Sequence, residues 1–228
     1  MGRRFRGQSL RDETIGAIAA SLPGADRVFR EFGLNFCCEG KLLLAEAAAR
    51  RALSVEEIEH RLTVCRTVER FSKGTAEQDT GPLIQHIVQR YHRAHRLGFP
   101  ELARLSRHVE AVHAAHASVP CGLAVTLENA FEALDEHMHD EEQTLFPAML
   151  RRRHGPFVPD LIAVLTHEHL GVGSLLQRLR FMTNAFTPPP DACRSWRLLY
   201  SGLAALVDDL QDHVHLENNV LFPRFVAV

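Results

Sequence analysis

Apolar residues recur at helical spacing along most of this chain, and the period-two alternation of strands is absent. Residues 9–68 read as short helices separated by breakers. Pro23-Gly24 interrupts one pattern, and Gly33 follows Phe29 and Phe32 as a helix stop. Lys41 to Ala52 is rich in alanine and leucine. Ser54 with Glu57 reads as a capping box that opens the next helix. Phe71 to Gly81 is polar and reads as a linker. After Pro82 the pattern lengthens into four amphipathic helices, at 82–98 (alone or extended by 100–117), 121–146, 158–182 and 191–222. Pro147 and Pro223 are expected to end the second and fourth, and Pro188-Pro189-Pro190 separates the third from the fourth. Long helices with short connections predict an antiparallel four-helix bundle. The expected fold is all-α, with a small helical domain over 1–70, a linker over 71–81 and a bundle over 82–228.

Two of the apolar stripes contain polar residues. In the second long helix the face runs Leu127, Phe131, Leu134, Met138 and Leu145, with His137 and Glu141 on or beside it. In the fourth it runs Leu203, Leu206 and Leu210, then His213, Glu217 and Leu221. A carboxylate buried among leucines is costly unless paired or metal-bound. The anomaly is a repeated phrase. Residues 137–147 and 213–223 both fit His-x-His-x-Glu-x-x-x-Leu-Phe-Pro. A lone His-x-x-x-Glu is ordinarily a surface pair; the duplication is what argues for a metal site. His139 and His215 lie about 200° around the helix from His137 and His213, so they face elsewhere. A pairing of His139 with Glu142 has no counterpart in the fourth helix, where Asn218 follows Glu217.

The other two helices add imidazoles. The third runs Leu161, Leu165, Val172, Leu176 and Leu179, with His169 inside the stripe and His167 off it. In the first, Ile84, Val88 and Tyr91 mark the face, and periodicity accepts both His92 and His95. The spacing from His92 to His137 is 45, and from His169 to His213 it is 44. Four histidines and two glutamates from four helices suit two iron or manganese ions with bridging carboxylates. The Glu-x-x-His signature of ferritin-like bundles is not matched. His86, His95, His108, His113 and His116 read as ordinary exposed or capping residues.

Composition narrows the setting. The chain has 228 residues, 46% hydrophobic, with a net charge of -2 that gives no sign of a nucleic-acid surface. No apolar run approaches the roughly 18–20 residues of a membrane span. The arginine-bearing start, Met1 to Arg11, is followed by Asp12-Glu13 and only a short apolar stretch, Ile15 to Leu22, which does not read as a signal peptide. A cytoplasmic protein is expected. Five cysteines without framework spacing fit a reducing compartment. Fourteen histidines against one tryptophan point to metal chemistry or pH sensing. Cys37-Cys38 sits between a helix stop and a helix start, where thiols tend to be reactive. Thiol exchange or metal binding is one reading, and a packed buried pair is the other. Cys65, Cys121 and Cys193 are isolated and read as packing residues.

Taken together, these motifs resemble the Repair of Iron Centres family, of YtfE/ScdA/DnrN type. The matching phrases are Asn35 to Gly40, Arg90-Tyr91-His92, His137 to Pro147, Glu168-His169, Thr187 to Pro190 and Leu216 to Pro223. The family usually has Asp and Gly where this chain has Asn35 and Glu39, and a lost glycine predicts a more restricted turn. The resemblance implies a hemerythrin-like bundle around a non-haem di-iron centre. It implies the ligands His92, His137, Glu141, His169, His213 and Glu217, and so selects His92 over His95. It further implies an oxo or hydroxo bridge, with Glu141 and Glu217 as bridging carboxylates. Members of that family restore iron-sulfur clusters damaged by nitric oxide or oxidants. The leading reading is therefore an iron donor to damaged iron-sulfur proteins, with Cys37 and Cys38 passing electrons or holding iron in transit. The second is reduction of nitric oxide at the diferrous pair. The third is reversible binding of nitric oxide or oxygen, as a sensor or reservoir. No nucleic-acid or membrane partner is expected. Homodimerisation through the N-terminal domain is also expected, since ~60 residues bury little surface alone.

Overall fold

The computed structural model describes residues 9–68, 79–151 and 157–226. The first arginines of the chain, and residues 71–78 of the expected linker, lie outside the described residues. Every regular element described is helical, as expected. Two compact units are present. One comprises the described residues up to Asp79 together with those from Val214 onward, and the other spans Thr80–His213.

The first unit contains α1 (Ile15–Ser21), α2 (Ala25–Glu31), α3 (Leu44–Ala49) and α4 (Val55–Val68). Its breakers act as the sequence predicts. Gly24 precedes α2 at φ +80, and Gly33 follows it at φ +67, a region that glycine enters without a Cβ penalty. Ser54 Oγ accepts the Glu57 N–H at 3.2 Å, the forward half of the expected capping box; Ser54 Oγ itself turns to Glu56 Oε2 at 3.1 Å. The core is apolar, built on Ile15, Ile18, Phe29, Phe36, Leu44, Ile58 and Leu62. The segment from Val214 packs into the same unit through Asn219. A Cβ added to Gly16 would lie 2.3 Å from Asn219 Oδ1 and 2.9 Å from the Gly40 carbonyl; one added to Gly40 would lie 2.2 Å from the same Oδ1. These glycines are required by close approach. Glu39 has no positive φ, so its replacement of a glycine strains nothing, contrary to expectation.

The second unit is the bundle. α5 runs as Thr80–His86, a π turn Ile87–His92 and Arg93–Val112. α6 runs as Leu123–Asp140, a π turn Glu141–Leu145 and Phe146–Leu150. α7 is Phe157–Met182, regular throughout. α8 is Arg194–His215, continued by a π turn Leu216–Leu221 and a short 3₁₀ turn Phe222–Arg224. One open alternative is settled and one proline expectation changes. Pro100 lies inside α5, which passes through it to Val112 and not to residue 117. Burial of Phe99, Leu102 and Ala103 on either side of Pro100 offsets the lost hydrogen bond. Pro147 does not end α6; it stands at the start of the α segment resumed after the π turn, where a missing N–H costs little. Pro223 ends the fourth helix as predicted. Gly122 opens α6 at φ +80, and the Glu110 carboxylate accepts the N–H groups of Gly122 and Ala124, each at 2.8 Å. An anion there complements the helix dipole. Phe99, Leu127, Leu134, Met138, Leu176, Trp196, Leu203 and Leu210 are among the residues of the bundle core.

The crowding at Asn219 yields the first prediction. Gly16→Ala should destabilise the chain by about 1–3 kcal/mol through overpacking. A urea melt that shows an unchanged midpoint would contradict this packing.

Candidate metal centre

Each ligand candidate is placed by its helix. His92 closes the π turn of α5, and Glu141 opens the π turn of α6 one helical turn after His137. His169 sits midway along α7. His213 lies near the end of α8, and Glu217 follows four residues later in the π turn that continues the same helix. Glu141, Glu217, His92 and His213 have no exposed surface, and His169 and His137 are buried too.

The six residues form two overlapping quartets. His92, Glu141, His213 and Glu217 form one; His137, Glu141, His169 and Glu217 form the other. In each, one donor atom per residue lies within 4.8 Å of the others. Glu141 and Glu217 belong to both. His92 Nε2 lies 3.0 Å from His213 Nε2, and His137 Nε2 lies 2.9 Å from His169 Nε2. That is the separation of neighbouring ligands around a cation with bonds of about 2.1 Å.

The outer nitrogens explain why these edges face inward. His92 Nδ1 donates to Glu142 Oε1 at 2.7 Å, and His137 Nδ1 donates to Glu168 Oε2 at 2.6 Å. A carboxylate only accepts, so the ring proton resides on Nδ1 and the Nε2 lone pair points into the site. Glu142 is itself held by Arg96 at 2.7 Å, and Arg96 by Asp135 at 2.6 Å. Burial works to raise the Glu142 pKa, but the hydrogen bonds from His92 and Arg96 prevail and hold it below the ordinary carboxylate value. On one side Tyr91 stacks on His213 at 5.7 Å and Phe146 on His92 at 5.9 Å. On the other side a cavity of about 540 Å³ between α6 and α7 reaches His137 and His169, past Leu134, Val172 and Leu175.

Glu141 provides the test of fit. Both its oxygens are buried without a hydrogen bond among the described residues. One lies 3.5 Å from His92 Nε2 and the other 3.5 Å from His137 Nε2. A buried carboxylate facing imidazole lone pairs requires positive charge between them. Imidazole and carboxylate donors suit divalent iron or manganese, so the residues fit a cation pair.

Other histidines sort differently. His95 is buried, its ring 5.2 Å from His213, and is not the exposed or capping residue expected; it belongs to neither quartet. The four-residue step from Tyr91 turns it into the bundle beside Phe99. His139, His167 and His108 are exposed. His113 contacts Cys193 Sγ at 3.1 Å, and His116 contacts Asp191 at 3.3 Å. His215 packs edge-on against Phe36 at 5.2 Å, and burial lowers its pKa to about 4.

Cys37 and Cys38 lie in a turn within the first unit, with their Sγ atoms 3.5 Å apart. The hydrogen bond with Cys38, and then burial, push the Cys37 thiol well above its ordinary pKa. The next helix begins only at Leu44, so neither thiol sits at its N-terminus. Sequence reasoning missed Glu142 and Glu168 as the partners that orient His92 and His137. The available signal was an acidic residue adjoining a ligand in each case, after Glu141 and before His169.

Residues 83–225 match the hemerythrin HHE cation binding domain. Residues 11–65 match a domain of unknown function named ScdA_N. The bundle is thus of the hemerythrin cation-binding class. The chain is 42% identical over 214 residues to the iron-sulfur cluster repair protein YtfE of Dickeya chrysanthemi, covering 94% of this chain and 96% of the relative. It is 43% identical over 224 residues to the protein of that name from Citrobacter koseri, covering 96% and 99%. For Escherichia coli strain K12 the figures are 43% over 217 residues, covering 95% and 98%. The chain belongs to the family of iron-sulfur cluster repair proteins of YtfE type, in agreement with the resemblance read from its motifs. No helix among the described residues is long and apolar enough to cross a membrane.

The outer carboxylates carry a prediction. Glu142→Gln and Glu168→Gln should each weaken ferrous iron binding about 10–100-fold while leaving the helix content unchanged. Chelator competition followed by circular dichroism checks it; parent-like affinity in both would remove their orienting role.

Proposed function

We propose that this chain is a di-iron protein that restores iron-sulfur clusters damaged by nitric oxide or oxidants, by supplying iron in the cytoplasm. The observation that carries the reading is the pair of quartets joined by two shared, buried carboxylates, in a chain whose full-length relatives bear the repair name. His92 and His213 would hold one iron, and His137 and His169 the other. Glu141 and Glu217 would bridge them, with an oxo or hydroxo bridge to offset the remaining positive charge. Iron in such a site supplies one-electron redox chemistry and an exchangeable ligand position.

The chain's own part is to hold and release. Glu142 and Glu168 keep the Nε2 lone pairs of His92 and His137 directed inward. Tyr91 and Phe146 cover one face each of His213 and His92 and limit water there. The cavity beside His137 and His169 offers an apolar approach for a small uncharged ligand. That cavity favours nitric oxide or oxygen as the small-molecule partner, and is the one observation that supports the second reading, nitric oxide binding or reduction at the same centre. Two carboxylates for two divalent irons leave excess positive charge, so a ferrous pair lacking its bridge is held less tightly than a bridged ferric pair.

The expected result of a repair assay is direct. Iron-loaded chain should restore a nitrosylated [4Fe–4S] enzyme about tenfold faster than an equal amount of free ferrous iron. His137→Ala/Glu141→Ala should give no advantage over free iron. Equal rates for parent and free iron would overturn donation, and stoichiometric nitrous oxide from the diferrous parent would favour the second reading.

A further inference from the structure

The turn that carries the vicinal thiols is tied to the helix segment that carries Glu217. Asn218 Nδ2 donates to the Cys37 carbonyl at 3.1 Å. Asn219 Nδ2 donates to the Phe36 carbonyl at 3.3 Å and reaches the Cys37 carbonyl at 3.5 Å. The space around Asn219 is closed by Gly16 and Gly40, each too near for a Cβ. All of these residues belong to the first unit. The Cys37 carbonyl is part of the peptide that joins Cys37 to Cys38, and that peptide is trans.

This peptide is where thiol chemistry meets the clamp. A trans peptide holds neighbouring Cα atoms about 3.8 Å apart, less than the roughly 4.4 Å at which disulfides usually begin. The two Sγ atoms lie 3.5 Å apart, and a disulfide requires about 2.05 Å. Closing that bond has to rotate the intervening peptide, and its carbonyl is the atom that Asn218 and Asn219 hold.

We propose that Cys37 and Cys38 form a redox modification site, whose closure to a vicinal disulfide frees the Leu216–Leu221 turn from the Cys37 carbonyl. The oxidant class is a hydroperoxide. Cys38 is the more exposed thiol and reacts first. Its sulfur attacks one peroxide oxygen and the O–O bond breaks. The leaving hydroxide takes the thiol proton and departs as water. Cys37 sulfur then attacks the sulfenic sulfur of Cys38 and the S–O bond breaks. The hydroxide so released leaves as a second water with the Cys37 proton. Two thiols lose two electrons and two protons, and hydrogen peroxide is reduced to two waters. The hydrogen bond with Cys38 and burial keep Cys37 protonated, which assigns it the resolving role.

A consequence for iron follows, and it rests on the proposed reading of Glu217 as a ligand. Freed from the Cys37 carbonyl, the turn bearing Glu217 should hold iron less firmly. The site would then release iron under the oxidative stress that damages clusters.

The test treats the full chain, metal-free and iron-loaded, with diamide, a thiol oxidant that leaves no adduct on the disulfide. The expected result is a loss of about 2 Da confined to the peptide containing Cys37 and Cys38. Amide exchange over residues 216–221 of the metal-free chain should accelerate, and iron release to a chelator should rise about tenfold. Dithiothreitol should reverse all three effects. Cys38→Ser should show none of them, and Cys193→Ser should show all. Failure of the disulfide to form, or its formation with unchanged exchange in the metal-free chain, overturns the proposal. Faster exchange with unchanged iron release supports the switch and overturns the assignment of Glu217 as a ligand.

Discussion

Glu141 is fully buried, and among the described residues neither of its oxygens accepts a hydrogen bond; each instead lies 3.5 Å from a histidine Nε2. Burying such a group without compensation costs several kcal/mol. Hydrogen bonds from their Nδ1 atoms to Glu142 and Glu168 fix the orientation of His92 and His137, with the Nε2 edges toward Glu141. A cation pair between these groups resolves the conflict, and the surrounding bundle is arranged to keep the conflict in place. Arg96, Asp135 and Glu142 form the outer layer on one side, and Glu168 does so on the other.

The helices accommodate this by local irregularity. Three of the four helices that carry ligand candidates have a π turn at the candidate residue, at Ile87–His92, Glu141–Leu145 and Leu216–Leu221. Such turns insert an extra residue into the helical repeat and occur often at functional sites. They also explain the behaviour of Pro147, which is tolerated because the hydrogen-bonding pattern restarts just before it. α7, which carries His169, is regular throughout.

Much of this was legible in the chain because buried polar residues contradict the apolar stripe that carries them. His137, Glu141, His213 and Glu217 interrupt otherwise leucine-rich faces, twice and in the same words. The four long helices follow from periodicity, and Gly24 and Gly33 stand at positive φ where breaks were expected. His92 and His95 were not separable by spacing, since both enter the bundle; only the one that closes the π turn joins a quartet. Glu142 adjoins Glu141 in sequence, but its partner His92 lies fifty positions away, so the pairing itself was not legible. The role of Asn219 was hidden for a similar reason, since its neighbours Gly16 and Gly40 lie far off in sequence. The gap between the Cys37 turn and the helix that opens at Leu44 was likewise not visible in the sequence.

Chemistry and architecture meet in the number of carboxylates. On the proposed reading, two shared glutamates and four imidazoles would hold two divalent ions yet under-neutralise them, which suits a protein that both holds iron and gives it up. The direct test is anaerobic titration of the metal-free chain with ferrous iron, read by metal analysis after desalting, beside Glu141→Gln. The account predicts two irons per parent chain and loss of the pair when the shared carboxylate is neutralised. A parent chain that retains no iron, or a Glu141→Gln chain that retains two as tightly, would contradict it.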